Sequence, residues 1–118
     1  MNDTDMLTLW FMLFFVATGL LLIGLSIPLM LRRVKPNWWY GFRVRKTLSD
    51  EQIWYESNAY AGKWLLMLGS IHTVVSFILY FVPTFRADFN AYAATCGVVF
   101  MIGFVIMIVL SFRYLRAL

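Results

Sequence analysis

Residues 6–31 read MLTLWFMLFFVATGLLLIGLSIPLML. No Asp, Glu, Lys or Arg interrupts them. A bilayer-spanning helix needs about 20 apolar residues, and this run is longer. Residues 64–85 and 89–112 are equally free of those four charged types. The whole chain of 118 residues is 62% hydrophobic and 14% charged, whereas a soluble domain carries about 25% charged residues. Lipid offers no hydrogen bonds to the backbone, so uninterrupted runs of this length fold as helices. The expectation is an all-α membrane protein with three transmembrane helices over about 7–31, 63–82 and 91–112. Residues 32–62 form the loop between the first two, and 1–118 is one membrane domain. The acidic start MNDTD and the long first run argue for a retained span. A cleaved leader has a basic n-region and a shorter apolar core. Pro28 is expected to loosen the last turns of the first span.

Lys and Arg in short flanking segments stay on the cytoplasmic side. Arg32, Arg33, Lys35, Arg43, Arg45, Lys46 and Lys63 lie between the first two spans, and Arg113 and Arg116 follow the third. Arg86 alone lies in the second connection. The split places the N-terminus outside, and the long loop and C-terminus in the cytoplasm. Trp10, Tyr80, Tyr92, Trp64 and Tyr114 fall at span ends, where aromatic belts form.

The loop and the approach to the second span read PNWWYGFRVRKTLSDEQIWYESNAYAGK, residues 36–63. Ser49-Asp50-Glu51-Gln52 has the form of a capping box, with Ser49 as N-cap. A helix is expected from about Asp50 straight into the second span, with Gly62 the place for any hinge. It is amphipathic. Gln52, Glu56 and Lys63 share one side. Ile53, Trp54, Ser57, Asn58, Tyr60, Ala61 and Trp64 cover the other. Asn58 at the centre of an apolar face needs a hydrogen-bond partner, which favours packing against residues 36–43 over lying on the membrane surface.

Projected at 100° per residue, Trp54, Asn58, Gly62, Gly69, His72, Thr73, Ser76 and Tyr80 form one stripe. A lipid-facing stripe would not be polar, so it must face the other helices or a partner chain. His72 is the one ionisable group near mid-span, with Thr73 and Ser76 beside it. Two readings stay open. One is a neutral imidazole bonded to Ser76 or a carbonyl, holding helices together; the other is a proton or ligand role. One His and one Cys on different helices make no metal or haem ligand set. Ser70, His72 and Ser76 lack the acid that a hydrolase triad requires. The lone Cys96 reads as a small packing residue. No enzyme activity, cofactor, metal or nucleic-acid partner is expected, because topology accounts for the net charge of +4.

The order of the loop residues resembles a known pattern. Asn37, Tyr40, Gly41 and Arg43, then Thr47-Leu48, then Trp54, Asn58 and Gly62-Lys63, are similar to the signature of the SdpI family of bacterial membrane proteins. The resemblance implies a multi-pass protein of the bacterial plasma membrane. It further implies a role in resistance to secreted peptide toxins, or in envelope signalling through capture of a cytoplasmic regulator, with the loop as interaction surface. The alternative is a small accessory subunit of a larger membrane complex. The expected partners are the lipid bilayer and a protein: a peptide toxin, a cytoplasmic regulator or that larger complex.

Overall fold

Five helices account for most of the described residues. The structure, a computed structural model, describes residues 2–118. Helix α1 is Asp3–Met30, α2 is Arg45–Ser49, α3 is Glu51–Tyr80, α4 is Pro83–Ala87 and α5 is Phe89–Ala117. Helices α1, α3 and α5 are each long and apolar enough to cross a membrane. Each runs a turn or more past the expected span on at least one side. Polar caps set these limits: the side chains of Asn2, Asp50 and Asp88 accept from the backbone N–H three residues on, satisfying donors that a helix start leaves free. The cap of α3 is therefore Asp50 and not Ser49. Ser49 instead ends α2, where its hydroxyl donates to Lys46 O at 2.8 Å. The short helix α2 was not legible in the sequence, and the expected capping box is replaced by a simple Asp50 cap one residue on.

Pro28 lies inside α1 and the helix continues past it to Met30. It then stops on a Schellman-type closure: Arg33 N–H bonds Pro28 O and Arg32 N–H bonds Leu29 O, with Arg32 in the left-handed region at φ 58°. This pattern supplies carbonyls at a helix end with partners. Helix α3 passes through Gly62 without a break. A side chain there would meet Leu29, and both side chain and backbone of Met30. Gly62 thus permits close approach of α1 and is not a hinge.

Helix α3 is the centre of the bundle. It makes its largest contact with α1 and a smaller one with α5. The α1–α3 crossing is tight at Gly19 and Gly69, where a Cβ on either would lie within 2.8 Å of the other's carbonyl oxygen. The bundle measures 54 × 22 × 19 Å, longer than a hydrocarbon core of about 30 Å. Its excess length carries the first turns of α3 and the loop packed on them. At the opposite end Met12, Tyr80, Tyr92 and Cys96 form a buried cluster. Tyr80 and Tyr92 are therefore core residues and not members of an aromatic belt, whereas Trp10 is exposed. The Tyr92 hydroxyl donates to Ser76 O at 2.8 Å, which lets a phenol sit fully buried.

Candidate functional site: the loop cradle

The loop packs on α3, and one carboxamide holds it there. Phe42 N–H donates to Asn58 Oδ1 at 2.6 Å, and Asn58 Nδ2 donates to Trp54 O at 3.0 Å and Phe42 O at 3.4 Å. Asn58 thus pairs with both polar groups of one loop residue, as a neighbouring strand would. Beside it the indole N–H of Trp54 donates to Val34 O at 2.7 Å. Trp54 and Asn58 are 0% and 2% exposed, so burying these polar atoms requires such partners.

The rest of the pattern shapes the loop itself. Asn37 Oδ1 accepts from the N–H groups of Trp39 and Tyr40, at 3.0 and 2.7 Å, and Asn37 Nδ2 donates to Lys35 O. This is an Asx turn. The Tyr40 hydroxyl donates to Leu25 O on α1, and burial raises its pKa above the ordinary tyrosine value. Gly41 follows at φ 118°, a backbone conformation that only glycine adopts freely. A Cβ there would lie 2.6 Å from Asn58 Oδ1. Arg43 reaches back to Trp38 O. The buried Thr47 hydroxyl accepts from Val44 N–H and donates to Val44 O, both at 2.9 Å, closing the first turn of α2. Asn37, Tyr40, Gly41, Arg43, Thr47, Trp54 and Asn58 are thereby brought into one cradle, with Gly62 one turn below against α1.

A second set of contacts, not expected from the sequence, ties this cradle to α5. Glu56 accepts from Arg32 at 2.5 Å and from the Tyr114 hydroxyl at 3.4 Å. The Arg32 guanidinium holds its carboxyl below the usual carboxylate range. Tyr114 stacks on Tyr60 at 4.1 Å between centroids, Phe42 meets Phe112 edge-on, and Lys46 Nζ donates to Leu115 O at 2.8 Å. These pairs lie far apart in sequence and had no local signal. The helical wheel groups Glu56 with Gln52 and Lys63, away from the apolar face.

The polar stripe of α3 is buried from Trp54 to Tyr80, with Thr73 half-buried. Its Thr73 hydroxyl donates to Gly69 O. His72 packs between Phe15 and Phe100, with ring centroids at 5.4 and 4.9 Å. Among the described residues the imidazole bonds neither Ser76 nor a carbonyl, the two partners that one reading of it named, and Ser76 Oγ has no partner. Aromatic rings on α1 and α5 occupy the space around the imidazole. Among the described residues no group of three or more His, Cys, Asp or Glu side chains could hold a metal ion.

On the outer surface of the cradle Trp38 and Trp39 are 77% and 79% exposed, next to the cations of the loop. A cavity of about 410 Å³ opens beneath it, between α1, α3, α5 and residues 40–44.

A model of the SdpI/YfhL protein family matches residues 33–114, which takes in the cradle and α3 but leaves α1 outside. No curated protein and no solved structure matches the chain.

Proposed function

Because the chain belongs to the SdpI/YfhL protein family, we propose that it acts by recognition at the membrane, in resistance to secreted peptide toxins or in envelope signalling through its loop. The observation that carries this reading is the contrast within residues 37–43. The backbone is fixed by Asn37 and Asn58, yet Trp38 and Trp39 are held out. Presenting two large aromatics on an ordered turn is favourable when a partner covers them, since Trp is enriched at binding hot spots. An ordered turn also loses less entropy on binding than a flexible one. The reading places the protein in a bacterial plasma membrane. The Lys/Arg distribution supports a cytoplasmic loop and C-terminus. It assigns the chain recognition and not catalysis.

The test is to delete the gene and challenge cells with peptides secreted by sibling cells, complementing with wild type or with Trp38→Ala/Trp39→Ala. Increased sensitivity or altered envelope transcription is expected, restored by wild type and not by the double variant at equal membrane level. Unchanged sensitivity together with unchanged transcription rejects the reading. A photo-crosslinker at position 39 then separates a cytoplasmic regulator from a membrane neighbour.

A second reading, an accessory subunit of a larger membrane complex, is favoured by α5. A Cβ on Gly97 would meet nothing within 4 Å, and Val98, Met101, Ile102 and Val105 are exposed beside it. Small residues on such a face permit close helix approach. Migration of gently extracted protein as a lone monomer would reject this alternative.

A further inference from the structure

The cavity under the cradle has features that the recognition reading does not use. Its floor is Ala61 and Leu65 of α3, and its walls are Leu25 and Leu29 of α1 and Ile108 of α5. Leu25 and Ile108 are 37% and 39% exposed, so the slot opens sideways between α1 and α5, at the loop end of both spans. Its volume of about 410 Å³ falls within the range of small-molecule sites. One lining group is a cation with donors to spare. Arg43 is exposed. One of its nitrogens reaches Trp38 O, and a guanidinium has further donors to offer.

We propose that this slot holds one acyl chain of an anionic phospholipid. Its phosphate lies against Arg43. Both ends of the lipid meet matching chemistry. The chain lies along leucine, isoleucine and alanine. The phosphate meets a fork of N–H groups suited to it, and the exposed Arg45 two residues on adds to the positive field. Basic pockets between spans at the cytoplasmic side are established acceptors of anionic headgroups. This inference stands independently of what binds Trp38 and Trp39.

The experiment is native mass spectrometry of the full chain from detergent micelles containing equal amounts of dioleoyl phosphatidylglycerol and dioleoyl phosphatidylcholine. One retained phosphatidylglycerol is expected, favoured roughly fivefold over phosphatidylcholine. Arg43→Gln should bring the two lipids to parity. That variant can disturb the loop, so Ile108→Trp provides the second arm. It fills the slot from a partly exposed position and should lower retention roughly tenfold. Ile78→Trp, at an exposed position on α3 far from the slot, should leave retention unchanged. Equal retention of both lipids by wild type overturns the proposal. So does wild-type retention in Ile108→Trp, and so does a lipid-free dimer, which would assign the slot to a second copy of the chain.

Discussion

The two ends of this bundle are closed by opposite means. At the loop end, side chains bond to loop backbone: Asn58 to Phe42, Trp54 to Val34, Thr47 to Val44 and Asn37 to Tyr40. At the other end, rings and sulfur pack around Tyr92, and a single long-range bond, Thr8 Oγ1 to Arg86 O at 3.0 Å, ties the short connection to α1. The difference follows from length. The second connection needs only the brief α4 between α3 and α5, and a short turn satisfies its own backbone. The first connection has a long irregular stretch to seat on a helix, and buried irregular backbone must find partners outside itself. Asn37, Thr47, Trp54 and Asn58 are those partners. Thr47, Trp54 and Asn58 are buried, whereas Trp38 and Trp39 face out. The inward residues therefore hold the loop, and the two indoles it displays are the groups free for recognition.

The loop end should be the more sensitive to single polar changes. The largest effect is expected for Asn58→Ala, which strands Phe42 N–H and the carbonyls that Asn58 now serves. Unpartnered buried groups cost about 1–3 kcal/mol each, so loss of about 3 kcal/mol is expected. Hydrogen exchange and proteolysis should rise across residues 37–47. Unchanged protection there would break the comparison. Gly41→Ala comes next. Its backbone at φ 118° and the clash with Asn58 Oδ1 predict a cost of about 2 kcal/mol, with the same exchange signature.

Much of this was legible beforehand for a physical reason. Three charge-free runs give three helices because lipid allows little else. The partner of Asn58 was inferable because a carboxamide on an apolar face cannot be left dry. Its location near residues 36–43 followed from their adjacency to the same helix. What stayed hidden depends on distance in sequence. Tyr60 on Tyr114, Lys46 on Leu115 and Glu56 on both Arg32 and Tyr114 join segments whose approach is set by how α5 crosses α3. No local periodicity encodes that. The Ser49 cap failed for a different reason: Asp50 competes for the same role one residue on, and the short helix α2 gives it the position. Tyr80 and Tyr92 were misplaced because an aromatic near a span end has the same signature whether it faces lipid or core.

At the far end, Tyr92→Phe removes one bond to Ser76 O and keeps the ring. A cost of about 1 kcal/mol is expected, confined to global stability in a thermal melt in detergent. A larger loss, or one that exposes residues 37–47 to exchange, would mean that the two ends are coupled through α3.

The smallest effect is expected midway, at His72. It lies between the loop cradle and the Tyr92 cluster, and its imidazole touches Phe15 and Phe100. Among the described residues it makes no hydrogen bond and faces no acid. Two aromatic rings pack against it, so a ring of similar shape should replace it. His72→Phe adds some volume but breaks no hydrogen bond, so a cost below about 1 kcal/mol is expected, within the range of tolerated core swaps. His72→Ala opens a cavity and should cost more than His72→Phe. If His72 carried protons or a ligand, both variants would lose function alike, whatever their stability. If it only fills space, resistance or signalling should follow the melting temperature, with Phe close to wild type and Ala below it. Measuring both properties for both variants separates the two roles. Full loss of function in a stable His72→Phe protein would move the working part of the molecule from its loop end into the middle of the membrane.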